Sequence, residues 1–177
     1  MDSIGYELYC KLLDQAVREL KGEEIQDEFE TLMDISINAF IPDSYITNLD
    51  QKLEIYKRIA MIKDKDDYYD VQDELTDRYG NMPKATENLL DIAYTKALLH
   101  TVGVSSVSLR SNNASVITFK PDKQTVAGEK LISVIQSYKG RLTFTNNPAA
   151  PYLTLARIEP AQKMAELKAF AEKLTEN

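Results

Sequence analysis

At Gly103 the chain changes its hydrophobic period, and that change limits the architectures open to it. Before Gly103 apolar residues recur mainly at three- and four-residue steps, the spacing of amphipathic helices; beyond it short alternating runs dominate, the spacing of half-buried strands. The order read from these periods is helix, strand, three helices, hairpin, helix, hairpin, helix. It predicts an α+β fold: a mainly antiparallel sheet of about five strands covered by helices, preceded by a long N-terminal linker helix.

From Tyr6 onward Tyr9, Cys10, Leu13, Ala16, Val17 and Leu20 form one helical stripe, with Gly22 as a left-handed stop. An acidic connector, Glu23 to Glu30, follows, and places a boundary between a linker helix over 1–22 and a compact domain over 30–177. Alternation over Met33 to Asn38 predicts a strand. Thr47 and Asp50 form a short capping box for a helix whose apolar side is Leu49, Leu53, Tyr56 and Ile59. A second helix runs from about Asp64 to Tyr79 and is closed by Gly80; a third follows Pro83 and is apolar around much of its circumference. Val104 to Leu109 and Ser115 to Phe119 make a hairpin through Ser111-Asn112-Asn113. A helix carrying Val126, Leu131, Val134, Ile135 and Tyr138 stops at Gly140. Two more strands, Arg141 to Thr145 and Tyr152 to Arg157, and a last helix from Pro160 complete the order.

Composition excludes several function classes. With 44% hydrophobic residues the chain can build a sizeable core, and its single cysteine allows no disulfide within it. A reducing, cytoplasmic setting is expected, because no run approaches a membrane span and Met1-Asp2-Ser3-Ile4 lacks the basic start of a secretory signal. A net charge of −7 and a pI near 4.8 have the wrong sign for gripping phosphates, so direct nucleic-acid binding is not expected, and with no run of membrane-span length no membrane partner is expected either. A basic protein surface is the better electrostatic match.

Motifs for chemistry are missing. The sequence has no GxxxxGK[ST], GxGxxG or GxSxG, and only six glycines to build such loops. The single histidine, His100, has no ligand-spaced Cys, His or carboxylate, and reads as a core or C-terminal capping residue. Cys10 reads as packing. The acidic pairs Asp66-Asp67 and Asp73-Glu74 could serve magnesium or acid–base work, but neighbouring carboxylates on a helix are more often a solvated face. Ten tyrosines could stack bases, yet most fall on apolar stripes without interleaved cations. No catalytic, cofactor or metal residue is therefore assigned.

The informative segment is the helix from Asp64 to Tyr79. At 100° per residue Tyr68, Val71, Leu75 and Tyr79 line one side, while Asp66, Asp70, Asp73, Glu74 and Asp77 gather on the other. Within the helix only Lys65 and Arg78 offset this one-signed ridge, so a basic partner would relieve its self-repulsion. Asp70, Asp73, Glu74 and Asp77 are accordingly the candidate protein-binding residues.

Several segments together carry a resemblance. Ile4-Gly5-Tyr6-Glu7-Leu8-Tyr9 with Leu12-Leu13, Ile41-Pro42-Asp43-Ser44-Tyr45-Ile46, Tyr56-Lys57-Arg58-Ile59-Ala60, and Glu74-Leu75-Thr76-Asp77-Arg78-Tyr79-Gly80 with Pro83 and Leu89-Leu90-Asp91-Ile92-Ala93 resemble successive signatures of the C-terminal region of bacterial transcription-repair coupling factors, the Mfd family. The resemblance is dense over the first hundred residues and rests on element order thereafter. It implies a non-catalytic regulatory domain attached through the first helix to a DNA translocase motor, which uses ATP and magnesium and pushes stalled RNA polymerase; this segment itself needs no cofactor. It further implies autoinhibition in transcription-coupled nucleotide excision repair: the domain clamps onto a UvrB-like N-terminal module of the same chain and masks the surface that recruits UvrA. In that reading Glu74 and Asp77 carry the acidic side of the clamp. An adaptor recruiting a separate basic protein in trans is the alternative binding role, and a magnesium-dependent acidic hydrolase the enzymatic one.

Overall fold

The computed structural model describes residues 3–21 and 29–176. The expected Gly22 stop and the connector over 23–28 lie outside the described residues, as do the side chains of Cys10 and Val17. Two compact units are present. The first comprises residues 1–28 and 37–94, the second residues 29–36 and 95–177.

The first unit is helical. It contains α1 (Ser3–Lys21), α2 (Leu49–Ala60), α3 (Lys65–Tyr79) and the start of α4 (Lys84–Thr101). α1 packs against α2, burying Tyr9, Leu12 and Ala16, whereas Leu20, expected on the same stripe, is exposed at the end of the helix. Asn48, not Thr47, caps α2: its side chain accepts a hydrogen bond from the Gln51 amide at 2.9 Å. Leu49 thereby becomes the first helical residue and points to solvent, and the buried side of α2 is Ile55, Tyr56, Ile59 and Ala60. α3 begins with a reciprocal pair, Asp64 accepting from the Asp67 amide and Asp67 from the Lys63 amide, each at 3.0 Å. Its buried stripe is Tyr68, Val71 and Leu75, as the period predicts. It stops at Gly80, whose φ of 81° lies in the left-handed region where a Cβ is disfavoured.

The second unit holds the sheet: β1 (Leu32–Asp34), β2 (Val104–Leu109), β3 (Ser115–Phe119), β4 (Leu142–Thr145) and β5 (Tyr152–Leu155), with α5 (Gly128–Ser137) and α6 (Lys163–Thr175). Among the described residues the five strands run β1-β2-β3-β5-β4, antiparallel except for β1 with β2, so the expected α+β fold class is observed. The first strand is shorter than its alternation predicts. Met33 and Ile35 are buried between exposed neighbours, but ladder pairing ends at Asp34 opposite Ser108. Both hairpins fall where expected, and the turn of the first places Asn113 at φ 55°, a conformation asparagine tolerates. Val104, Val107, Ile117, Phe119, Leu153, Leu155, Leu167 and Phe170 are essentially inaccessible. Each such side chain contributes about 1.5–3 kcal/mol relative to leaving it in water.

Candidate protein-docking face on α3

The site is built on α3 and braced from two other segments of the first unit. The Ile41-Pro42-Asp43-Ser44-Tyr45-Ile46 signature turns on Pro42, whose carbonyl accepts from the Tyr45 and Ile46 amides. That turn buries Ile41 and Ile46 and aims the Tyr45 hydroxyl at the C-terminal end of α3, within 3.1 Å of the Leu75 carbonyl and 3.0 Å of the Gly80 carbonyl. Helix ends leave carbonyls without intrahelical partners, so this hydroxyl acts as a side-chain cap. Burial, reinforced by the neighbouring Tyr79, raises the Tyr45 pKa and keeps the donor proton in place. Tyr79 meets the Tyr45 ring edge-on at 5.8 Å and reaches Gln51 of α2 through its hydroxyl. α3 is thus tied to α2 at its C-terminal half, which carries Asp73, Glu74 and Asp77.

The four candidate carboxylates are not equivalent. Glu74 is the most enclosed, its side chain 20% exposed, and both oxygens are engaged: Oε1 accepts from Arg78 at 2.7 Å, and Oε2 pairs with Arg58 of α2. Asp73 and Asp77 are exposed and have no cationic partner among the described residues; with Glu74 and Thr76 they line a shallow depression. Asp70 is also exposed but lies outside that depression. Of the pairs considered for metal chemistry, Asp67 is committed to the helix cap and Glu74 to two guanidiniums. No group of three or more His, Cys, Asp or Glu among the described residues is placed to hold a metal.

His100 sits in the last turn of α4 but is exposed rather than in the core. Its ring stacks on Phe29 at 4.6 Å and its Nδ1 lies 3.3 Å from Thr31 Oγ1. Because Thr31 donates its proton to the Val104 carbonyl at 2.7 Å, the imidazole is the donor in the pair, a structural role for the ring.

Two features of the face escape a reading by spacing alone. Arg58 belongs to another helix, so rules for neighbours within one helix miss its pairing with Glu74. The net charge of −7 also averages over unlike halves: the first unit carries ten Lys and Arg against twenty Asp and Glu, the second eleven against eight. The acidic excess belongs to the unit that holds the ridge, and counting charge by unit would have shown it.

Residues 35–131 match the family described as TRCF domain, a span that includes all of α2 and α3. A transcription-repair-coupling factor of Bacillus subtilis (strain 168) is 31% identical over 139 residues, covering 78% of this chain and 12% of the relative. One from Staphylococcus epidermidis is 31% identical over 138 residues, with 77% and 12% covered. The chain therefore spans about an eighth of the length of the curated relatives it matches. Among solved structures, the crystal structure of the C-terminal domain of transcription-repair coupling factor superposes with a TM-score of 0.73 at 25% identity, over 85% of this chain and 95% of that one. Sequence and fold agree: the chain belongs to the TRCF domain family and has the fold of the C-terminal domain of a transcription-repair coupling factor.

Proposed function

We propose that this chain is a non-catalytic regulatory domain that docks through α3 onto a UvrB-like module of the same longer, cytoplasmic protein and masks the surface that recruits UvrA. The observation that carries the reading is Asp73 and Asp77: two exposed carboxylates without a cis cation among the described residues, in one depression, on a helix braced by the Tyr45 and Tyr79 contacts. Exposed anions on a braced helix suit arginine or lysine of a basic surface, where charge-assisted hydrogen bonds are strongest. In this reading residues 1–22 connect to an ATP- and magnesium-dependent translocase motor that acts on stalled RNA polymerase, and residues 30–177 are the regulatory domain.

The contact need not be strong. Suppressing UvrA binding tenfold to a hundredfold requires about 1.4 to 2.8 kcal/mol of coupling. Two modules on one polypeptide meet at an effective concentration on the order of millimolar, so a contact that is weak in trans keeps the longer protein mostly closed. Titrating this chain, isotopically labelled, with the UvrB-like module at low salt tests the reading. Amide shifts centred on Asp73 and Asp77 and fading with salt are expected. Their absence at millimolar module would refute docking in cis and favour an adaptor role with a separate basic protein.

A further inference from the structure

We infer that Arg58 is a built-in competitor for the arginine position at Glu74 and so sets how tightly the face closes, an inference that rests on the docking reading above. A carboxylate is best matched by one bidentate guanidinium taking both oxygens. At Glu74 that match is divided between two cis guanidiniums, Arg78 on Oε1 and Arg58 on Oε2. A partner arginine approaching Glu74 therefore meets a neutralised anion flanked by two like charges.

The two competitors differ in how firmly they are held. Arg78 is one turn from Glu74 on the same helix, and its guanidinium lies 5.0 Å over the Tyr79 ring, a second favourable contact. Arg58 reaches across from α2, its side chain is 43% exposed, and it has no second anionic partner among the described residues. Arg58 is thus the group that can swing into solvent when a partner arrives. Asp73 and Asp77 attract the basic surface from the outset; Glu74 joins only as Arg58 gives way. The docked state is left weaker than three free carboxylates would make it, which keeps the clamp reversible.

The test uses the 177-residue chain with R58Q and R58K, titrated with the UvrB-like module and, separately, with a capped hexa-arginine peptide while following the α3 amides. A surface pair is worth up to about 1 kcal/mol, so R58Q is expected to bind either ligand about three- to fivefold more tightly at low salt. The gain should vanish near about 1 M salt, where the screening length is about 3 Å. R58K, which keeps the charge, should stay within about twofold of wild type. Equal or weaker binding by R58Q, or equal tightening by R58K, overturns the inference. If the module binds no variant while the peptide binds R58Q more tightly than wild type, the partner reading falls and the competitor role of Arg58 stands.

Discussion

Glu74 and Asp77 are three residues apart on α3, yet their environments give opposite expectations for stability. Replacing Glu74 with Gln keeps the shape and removes the charge that Arg58 and Arg78 share. Both arginines are more than one-third exposed, at 43% and 36% for their side chains, so each pair has the value of a surface pair, about 0.2–1 kcal/mol. The substitution also leaves two cations facing each other, a penalty of similar size to one lost pair. The expected cost of E74Q is therefore about 1–2 kcal/mol. Asp77 has no cis cation among the described residues and lies in the last turn of α3, where a negative charge opposes the helix dipole. D77N should accordingly change stability by no more than about 0.5 kcal/mol, or raise it slightly. Urea denaturation of the two variants, with the slope unchanged, reads both values from the midpoints. Equal losses, or a larger loss for D77N, would refute the division of roles between an anchored and a free carboxylate. The R58Q/E74Q double-mutant cycle should return a coupling of about 0.2–1 kcal/mol if the interhelical pair contributes as described.

Other outcomes follow from the backbone and from phenols that are buried or half-buried. Gly103 has φ 81° and a Cβ there would lie 2.2 Å from the Lys123 carbonyl oxygen, so G103A should cost more than about 3 kcal/mol in a denaturant titration; Gly80, with the same φ and open space around it, should cost about 1–2 kcal/mol as Ala. Similar losses at both glycines would contradict the close packing described at Gly103. Burial raises the pKa of Tyr56 and Tyr138 as it does that of Tyr45, with smaller opposing contributions from the Ile41 amide at Tyr56 and from Arg141 at Tyr138. A raised folded-state pKa means that the native chain holds these protons more tightly than the unfolded one. Their stabilisation is complete below about pH 10 and is lost as pH rises through the folded values. Urea midpoints should therefore fall above about pH 10, and less steeply in Y56F. A midpoint that does not change with pH would contradict this.

How much was legible in the sequence depended on whether the determining physics is local. The α2, α3 and α4 spans, both hairpins and the Asn113 turn followed from period, glycine and turn chemistry, which act within a few residues. The N-cap of α2 lies one residue beyond the expected Thr47 because Thr47 and Asn48 are both good caps, and the geometry selects Asn48. Leu20 and Leu49 fit apolar stripes but fall at helix ends, where the stripe outruns the surface that covers it. The alternation after Asp34 marks burial correctly while the ladder stops, since side-chain period and backbone pairing are separate requirements. At the candidate site the ridge itself was readable from spacing. The difference between Glu74 and its neighbours was not, because it arises from an arginine on another helix.

In the docking reading, the free carboxylates of α3 hold the longer protein closed on itself. The most direct measurement is UvrA binding to that longer protein with Asp73 and Asp77 reversed to Lys, compared with the unsubstituted protein at the same salt. UvrA affinity should rise about ten- to a hundredfold on reversal, as release of about 1.4 to 2.8 kcal/mol of coupling requires. Unchanged UvrA affinity in a reversed protein that unfolds at the normal midpoint would contradict it.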